Sequence, residues 1–507
     1  MRRIQWTGLA LALLAGSAAA EEPKASKSGP GSALVAAGAE KDKAGSHFDA
    51  TAWVEGRLES ASAFGVDADG DEFSPDLVLN TVARVGLRFD SIEDWKPVRL
   101  LVEYEHDLFT GPVWGGGDDQ GPPSVHAPNS EGYKEQALRK AFARLSIGPY
   151  LTIGGGFTTS HWGLGLLAND GGRRYEYGSA SFVDPRGGDV VARGLLATGP
   201  HTDARLVIFA GIDSVWSDDV LFPGDEAWQA VFGASVGTGL PWGAGIYGVY
   251  REQEASDGDL TRVGVVDVHG RYRHELDGMA ITIEAEGAII FGDTTLAPNP
   301  EHTTHDVLQL GGALRFGFDG GMGGAVLDLT YASGDRNLDD AAQNAFRADR
   351  NFEQGLVLYR TVLAAQSARA PVVASNPDLV GVPSEDLDRV ATRGSVTNTV
   401  AIFPRGWVRP VDGLEIYGGP LVAFSEVEVI DPLHTRLAGG EARNAFDSKP
   451  GTYLGTEFDL GARFRVLVHG VEIEVGAEGG VFVPGTAFEG GSMDPVWGGR
   501  VMLGAAL

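Results

Sequence analysis

Residues 457–478, EFDLGARFRVLVHGVEIEVGAE, decide the fold of this chain. Apolar residues recur at every second position in Phe458–Val466 and again in Val471–Ala477, and glutamate, aspartate and arginine occupy most of the positions between them. The dipeptide His469-Gly470 separates the two runs. Alternation with a period of two predicts a strand that has one apolar and one polar face. The stretch therefore predicts two antiparallel strands joined by a tight turn.

The same alternation continues from Phe48 to the end of the chain, and it predicts about 18 strands. The connections between these strands alternate in length. Gly148-Pro149 and Glu275–Gly278 are short, whereas Phe109–Glu135 and His161–Gly188 are long. Short turns at one end and longer loops at the other are typical of outer-membrane barrels. A soluble β-sandwich has no physical reason to alternate short and long connections along the whole chain.

The predicted fold class is therefore all-β, a transmembrane antiparallel β-barrel of about 18 strands with long outer loops. In hydrocarbon every backbone N–H and C=O must find a partner within the protein, so a sheet that spans a membrane has to close on itself. One face of each strand is compatible with outer-membrane lipid, and the other carries charges. This pattern predicts that the chain lies in the outer membrane of a Gram-negative bacterium.

The N-terminus predicts export. Arg2 and Arg3 precede the apolar run Leu9–Leu14, and small residues lead to a cleavage site after Ala20. Residues 1–20 are thus predicted to be a signal peptide. Residues 21–46 hold almost no large apolar side chain and are predicted to be a flexible periplasmic leader, with the barrel spanning 47–507. The chain has no cysteine, which excludes disulfides and thiolate metal sites.

Charged residues at alternate strand positions are predicted to line the lumen. Over the full set of such positions, of which the residues named below are a part, basic and acidic members nearly balance, which argues against strong selection for a polyanion. For most of them the simplest role is an ion pair that braces the barrel wall. The predicted pore-lining residues are Arg84, Arg88, Arg99, Glu103, Arg193, Arg271, Arg273, Glu284, Glu286, Arg315, Arg463 and Arg465.

Two motifs invite a chemical interpretation. Asp67, Asp69 and Asp71 alternate around a glycine like the start of a calcium loop, but the distal glutamate is missing, so a calcium loop and a solvated acidic loop both stay open. Ser160-His161 places a nucleophile beside a base only in sequence, and adjacency supplies no catalytic geometry. We therefore predict no enzymatic activity, no catalytic residues, no metal and no cofactor.

The connection 334–394 is far longer than an ordinary loop. Within it, Phe352, Leu356, Tyr359 and Leu363 have the spacing of one helix face, which predicts an amphipathic helix over Phe352–Ala370. Such a helix must bury its apolar stripe. It either folds into the barrel mouth and narrows the pore, or packs on the outer loops without a gating role.

Two stretches and the 18-strand layout resemble the alginate-export type of outer-membrane barrel. The stretches are Leu151–Asp170, LTIGGGFTTSHWGLGLLAND, and Ala332–Arg360, ASGDRNLDDAAQNAFRADRNFEQGLVLYR. The resemblance implies a monomeric pore that passes an anionic exopolysaccharide through an arginine-lined lumen, together with a periplasmic export partner.

The functional hypothesis is an outer-membrane channel for a polar solute or an exopolysaccharide, with no role in binding nucleic acid. The alternative is a barrel that conducts nothing and acts as an adhesin or a membrane-embedded hydrolase. Conductance across a lipid bilayer distinguishes the two.

Overall fold

The computed structural model describes residues 46–75, 77–91, 97–115, 134–296, 302–337, 340–368, 389, 391–491 and 493–507. The predicted signal peptide and all of the predicted leader except Ser46 lie outside the described residues. These predictions stay untested.

Eighteen long strands form one antiparallel sheet among the described residues. They are β1 (His47–Ala61), β2 (Val78–Asp90), β3 (Val98–Trp114), β4 (Lys134–Ile147), β5 (Leu151–Thr159), β6 (Val190–His201), β7 (Leu206–Ser217), β8 (Glu226–Val236), β9 (Trp242–Glu254), β10 (Leu260–Leu276), β11 (Met279–Thr294), β12 (His305–Asp319), β13 (Gly323–Ala332), β14 (Thr399–Val411), β15 (Leu414–Phe424), β16 (Tyr453–Val468), β17 (Val471–Pro484) and β18 (Val496–Ala506).

The sheet closes on itself. Strand β1 pairs with β2 on one side and with β18 on the other, from Trp53 opposite Ala506 to Ala61 opposite Gly498. Every consecutive pair between β2 and β18 is also antiparallel. Closure satisfies the backbone groups that an open edge would expose to hydrocarbon. The predicted all-β barrel of 18 strands is confirmed.

The two faces of the barrel differ as the alternation predicts. Outward-facing Leu460, Ile212 and Leu503 are 64%, 61% and 61% exposed, and such apolar side chains recur along every wall strand. Inward-facing Arg57 and Arg463 are each 2% exposed. A barrel with this polarity is inside out relative to a soluble protein, because lipid covers its outer face.

The buried apolar core lies inside the barrel, where long connections fold against the inner wall. Leu166, Phe346, Leu358 and Tyr359 belong to it, and each is fully buried. Wall residues such as Tyr417 complete the cluster. The connections therefore supply much of the protein's interior packing.

Helical structure in the described residues is short. A π-helix covers Leu358–Leu363 and continues into an α-helix at Ala364–Ser367, and further short helices cover Pro432–Leu437 and Thr486–Phe488. Not one helix in the described ranges is long and apolar enough to cross a membrane.

The helix predicted over Phe352–Ala370 starts six residues later than the spacing suggested. Gly355 has a φ of +73°, a left-handed conformation that interrupts a right-handed helix. Residues 369 and 370 lie outside the described residues.

Candidate functional site

The connection 160–189, named here the inward loop, lies inside the barrel. Trp162 donates its indole N–H to Asp267 on β10 at 3.1 Å, and the backbone N–H of Leu166 donates to Glu286 on β11 at 3.2 Å. Farther along the wall, Arg405 of β14 donates to the carbonyl of Ala180 at 3.0 Å. The sequence predicts His161–Gly188 as a long connection at the outer end of the barrel. The loop begins and ends there, but it folds into the lumen instead of projecting outward. Inner-wall side chains satisfy the loop's backbone groups and hold it in the lumen.

The inward loop reaches the far end of the barrel. The Tyr177 hydroxyl donates to the carbonyl of Gly413 at 2.5 Å, within the tight turn between β14 and β15. Arg465 of β16 donates to the carbonyl of Tyr175 at 3.1 Å, and Arg463 lies 4.4 Å from the centre of the Tyr175 ring. Cation–π contact and hydrogen bonds therefore fix the loop beside β14–β16.

A second connection also folds inward. Its residues 340–368 are named here the second inward segment. Glu457 on β16 accepts the backbone N–H groups of Leu356, Val357 and Leu358 at 2.5, 2.7 and 2.7 Å. The Tyr359 hydroxyl pairs with Thr399 Oγ1 at 2.7 Å. Glu457 thus caps the start of the π-helix, where N–H groups lack partners within the helix. Of the two roles left open by the sequence, folding into the barrel is the one observed.

The two inward connections also bind each other. Glu353 accepts the N–H of Asp184 at 2.8 Å, and Asn351 donates to the carbonyl of Arg186 at 2.6 Å. Arg360 forms ion pairs with both Asp184 and Glu353 at 3.1 Å. The result is one network of backbone and charged contacts across the lumen rather than two independent loops.

Most of the residues predicted to line the pore lie on the inner wall in ion pairs. These pairs are Arg84–Asp107, Arg88–Asp90, Arg99–Asp90, Glu103–Arg144, Arg193–Asp213, Arg315–Asp328, Arg463 with Glu474 and Glu478, and Arg465 with Glu472 and Glu474. The pairs join neighbouring or nearby positions of the wall and brace it, which is the simpler role that the sequence allowed.

The remaining predicted residues differ from this pattern. Glu286 accepts N–H groups of the inward loop, and Arg273 pairs with Glu275 at an exposed position. Arg271 and Glu284 face each other across β10 and β11, yet neither makes an ion pair within the described part of the chain. The predicted set therefore contains bracing residues, one loop anchor, one member of an exposed ion pair, and two charges without an ion pair to a described residue.

The alternation in the sequence did not identify several inward-facing side chains that make contacts in the lumen. Strict alternation places Lys140 inside and Arg139 outside, but a bulge opposite Glu105–His106 turns both inward, and both pair with Glu105. Asp184 and Arg186 belong to the inward loop, which carries no period-two pattern. A bulge and a loop path depend on contacts between distant residues, so alternation does not reveal them.

A cavity of about 560 Å³ remains in the lumen beside the two inward connections, and it is named here the chamber. Its wall belongs to strands β6–β12, near the end of the barrel that carries the connections 218–225 and 333–398. This part of the inner wall combines apolar side chains with polar ones such as Gln229, Gln253 and Thr261. The inward-facing valines that line the chamber are Val191, Val215, Val249, Val263, Val265 and Val307.

Charged side chains also line the chamber. Among the described residues, the acidic ones number six and the basic ones three, so acidic groups exceed basic ones by three. They are Asp189, Asp218, Asp219, Asp335, Asp349 and Asp431 against Arg251, Arg347 and Arg389.

Neither chemical motif assembles into a reactive centre in the structure. The Ser160 hydroxyl makes no hydrogen bond to a described residue, and His161 Nδ1 lies 3.8 Å from Asp170. Asp67 accepts the backbone N–H groups of Asp69 and Asp71, which is a local turn. No group of three potential metal ligands occurs among the residues described.

Comparison with known proteins identifies the fold. No protein-family model and no curated protein sequence matches the chain. Solved structures do match. A BenF-like porin from Pseudomonas fluorescens Pf-5 has a TM-score of 0.50 at 10% identity, covering 91% of this chain and 98% of that one. OccAB1 of Acinetobacter baumannii has a TM-score of 0.49 at 12% identity, covering 90% and 96%. OccK5 of Pseudomonas aeruginosa has 0.47 at 10%, covering 90% and 98%.

These matches correct the resemblance to alginate-export barrels. The BenF-like porin, whose match covers 91% of this chain, is not an alginate-export barrel, and the family assignment from Leu151–Asp170 and Ala332–Arg360 is wrong. Both stretches fall largely on inward connections, and short glycine- and aspartate-rich segments are weak markers of a family. The fold and the apolar outer face place the chain in the outer membrane of a Gram-negative bacterium.

Proposed function

We propose that the chain is an outer-membrane channel that passes small polar solutes. The observation that carries the proposal is the chamber left beside the two inward connections, with its volume of about 560 Å³. Sites for small molecules have volumes of about 300–1,000 Å³. The chamber therefore has the size for one small solute.

The inner-wall charges support passage of a polar solute. The predicted pore-lining set, from Arg84 to Arg465, faces the lumen of a barrel whose outer face is apolar. Because most of these charges are paired with neighbouring wall residues of opposite sign, they keep the inner wall polar without a strong single-sign field. Arg271 and Glu284 are the members left to contact a passing solute.

The proposed path passes the chamber and then β10–β11 toward the short turns. Along the inner face of β10, Val263 and Val265 are followed by Asp267, His269 and Arg271. The path therefore changes from apolar to charged along its length. The inward loop contacts β10 at this transition, where Trp162 donates its indole N–H to Asp267 at 3.1 Å.

Planar-bilayer recording tests the proposal. The protein from residue 21 onward, refolded in detergent, should produce discrete potassium currents. A variant that lacks Asn351–Ser367 should give a larger single-channel conductance while keeping a heat-resistant barrel, because the second inward segment occupies lumen volume. A folded barrel that never conducts in either form would contradict the proposal and favour an adhesin or a membrane-embedded hydrolase.

A further inference from the structure

We propose that the chamber binds organic ammonium ions that carry an apolar body, such as an aromatic or branched aliphatic amine. The inference rests on the proposed channel function and adds the class of solute. It follows from two features of the same cavity, its valine wall and its excess of carboxylates.

The valine wall is unusual for the inside of a membrane barrel. Lumen positions of such barrels are ordinarily polar because water fills them. Here Val249 on β9, Val263 on β10 and Val307 on β12 face inward and are buried. Leu167 of the inward loop and Leu363 of the second inward segment add to the apolar lining. An apolar solute surface that packs against this wall is removed from water, and this removal favours binding.

The carboxylates differ in what they already bind. Asp218 accepts the N–H groups of Val220 and Leu221 and pairs with Arg251. Asp219 holds Arg350 with a hydrogen bond of 2.6 Å from its Nε. These aspartates are committed to the fold of the surrounding loops.

Asp349 is also committed. It accepts the N–H groups of Asn169 and Asn351 at 3.1 and 2.8 Å, and so joins the two inward connections.

Asp189 differs from these neighbouring aspartates in its contacts. It immediately precedes β6, is half-buried and lines the chamber, and it forms no hydrogen bond or ion pair with the described residues. Burial and the nearby carboxylates of Asp349, Asp218 and Asp219 raise the pKa of the Asp189 carboxyl well above its usual range, although Arg251 opposes the shift. A bound cation relieves this repulsion, because it places a positive charge among carboxylates in a site of low dielectric.

The basic groups of the chamber are occupied. Arg251 pairs with Asp218, and Arg389 forms a bidentate pair with Asp225 at 2.7 and 3.0 Å. Arg347 donates to the carbonyl of Arg389 at 2.9 Å. An anionic solute would therefore have to displace existing partners, whereas an ammonium group meets an unpaired carboxylate beside an apolar wall.

Equilibrium calorimetry on the detergent-solubilised protein tests the inference at a pH above neutral. The probes are 2-phenylethylammonium, 3-phenylpropanoate and ethylammonium, which separate the charge from the apolar body. We expect 2-phenylethylammonium to bind at least about tenfold more tightly than either other probe, since tenfold corresponds to about 1.4 kcal/mol.

Three variants locate the site. Asp189→Asn should raise the Kd of 2-phenylethylammonium about tenfold, and Val263→Thr should raise it severalfold, because it adds a hydroxyl at nearly constant shape. Asp412→Asn, in the exposed turn between β14 and β15, should leave the Kd unchanged.

The outcomes separate this inference from the channel proposal. Tighter binding of 3-phenylpropanoate, equal binding of ethylammonium, or no effect of Asp189→Asn in a folded barrel would each overturn it. Potassium currents without selective binding of 2-phenylethylammonium would support the channel proposal and contradict this inference. Selective binding without any current would support the chamber and contradict transport.

Discussion

At the scale of single residues, the barrel interior shows how strand register assembles charge networks. Arg463 on β16 lies opposite Gly476 on β17, so the glutamates two positions to either side flank it. It pairs with Glu474 at 2.6 Å and with Glu478 at 2.8 Å. A side chain at Gly476 would meet Arg463 Cγ at 3.2 Å, so the glycine leaves room for the guanidinium to cross. Diagonal contacts across a strand pair therefore position this cluster.

Removing Arg463 should destabilise the barrel strongly. In an Arg463→Met variant, Glu474 and Glu478 lose a shared partner at buried positions, and the free energy of unfolding should fall by about 3–5 kcal/mol. Urea unfolding of the protein in lipid vesicles measures the change. Arg273→Met is the matched control, since this arginine lies on the same face of a strand but pairs at an exposed position, where an ion pair contributes about 0–1 kcal/mol. Equal losses in both variants would show that the cluster does not stabilise the wall.

At the scale of elements, one wall carboxylate orders a whole lumen segment. Glu457 is fully buried, and its two oxygens accept three successive backbone N–H groups at the start of the π-helix. Beside it, a Cβ on Gly355 would lie 2.9 Å from Glu457 Oε1 and 2.9 Å from Leu421 Cδ2. The segment can approach the wall this closely only because residue 355 is glycine.

Weakening this contact should loosen the second inward segment. In Glu457→Gln the charge is lost and only one side-chain oxygen remains to accept the three N–H groups, and each hydrogen bond to a charged group contributes about 1.5–3 kcal/mol. We expect open-channel current to fluctuate between more levels than in the parent protein.

Asp412→Asn supplies the control for this prediction, because Asp412 lies in the exposed turn between β14 and β15 and its substitution neutralises a carboxylate outside the proposed path. Its current should match that of the parent. If the open-channel current of Glu457→Gln also matched that of the parent, the Glu457 carboxylate would not be the group that holds the second inward segment in place.

At the scale of the whole molecule, the closed wall and the phase of its connections define an orientation. The turns 148–150, 275–278 and 410–413 lie at one end, and the two inward connections enter from the other. In outer-membrane barrels the short turns face the periplasm. The chamber then lies in the outer half of the barrel, where a solute from outside arrives first.

Cysteine labelling on intact cells tests this orientation, and the absence of native cysteine keeps the background low. Ser256→Cys, in the exposed connection 255–259, should react with a membrane-impermeant maleimide. Asp277→Cys, in the exposed turn between β10 and β11, should react only after the outer membrane is permeabilised. The reverse pattern would invert the barrel and place the chamber at the periplasmic side.

The strands were predictable because their signal is local. All eighteen predicted strands appear, and the inside–outside phase holds for examples such as Leu460 and Arg463, since adjacent side chains must point to opposite faces. The predicted pore-lining set also lies on the inner wall, although its role in transport stays a proposal. Arg139 shows the limit, because a single bulge reverses the phase locally.

The sequence by itself determined the closed barrel, its strand number, its lipid face and its membrane, because lipid on one side imposes the same alternation on every strand. Only the tertiary structure decided what fills the lumen. The inward loop and the second inward segment follow no periodic pattern, and their paths depend on distant partners such as Asp267, Glu457 and Asp184. The chamber is the part of the lumen that the two inward connections do not fill. A void between elements has no local sequence signal, so its shape and its unpaired Asp189 appear only once the chain is folded.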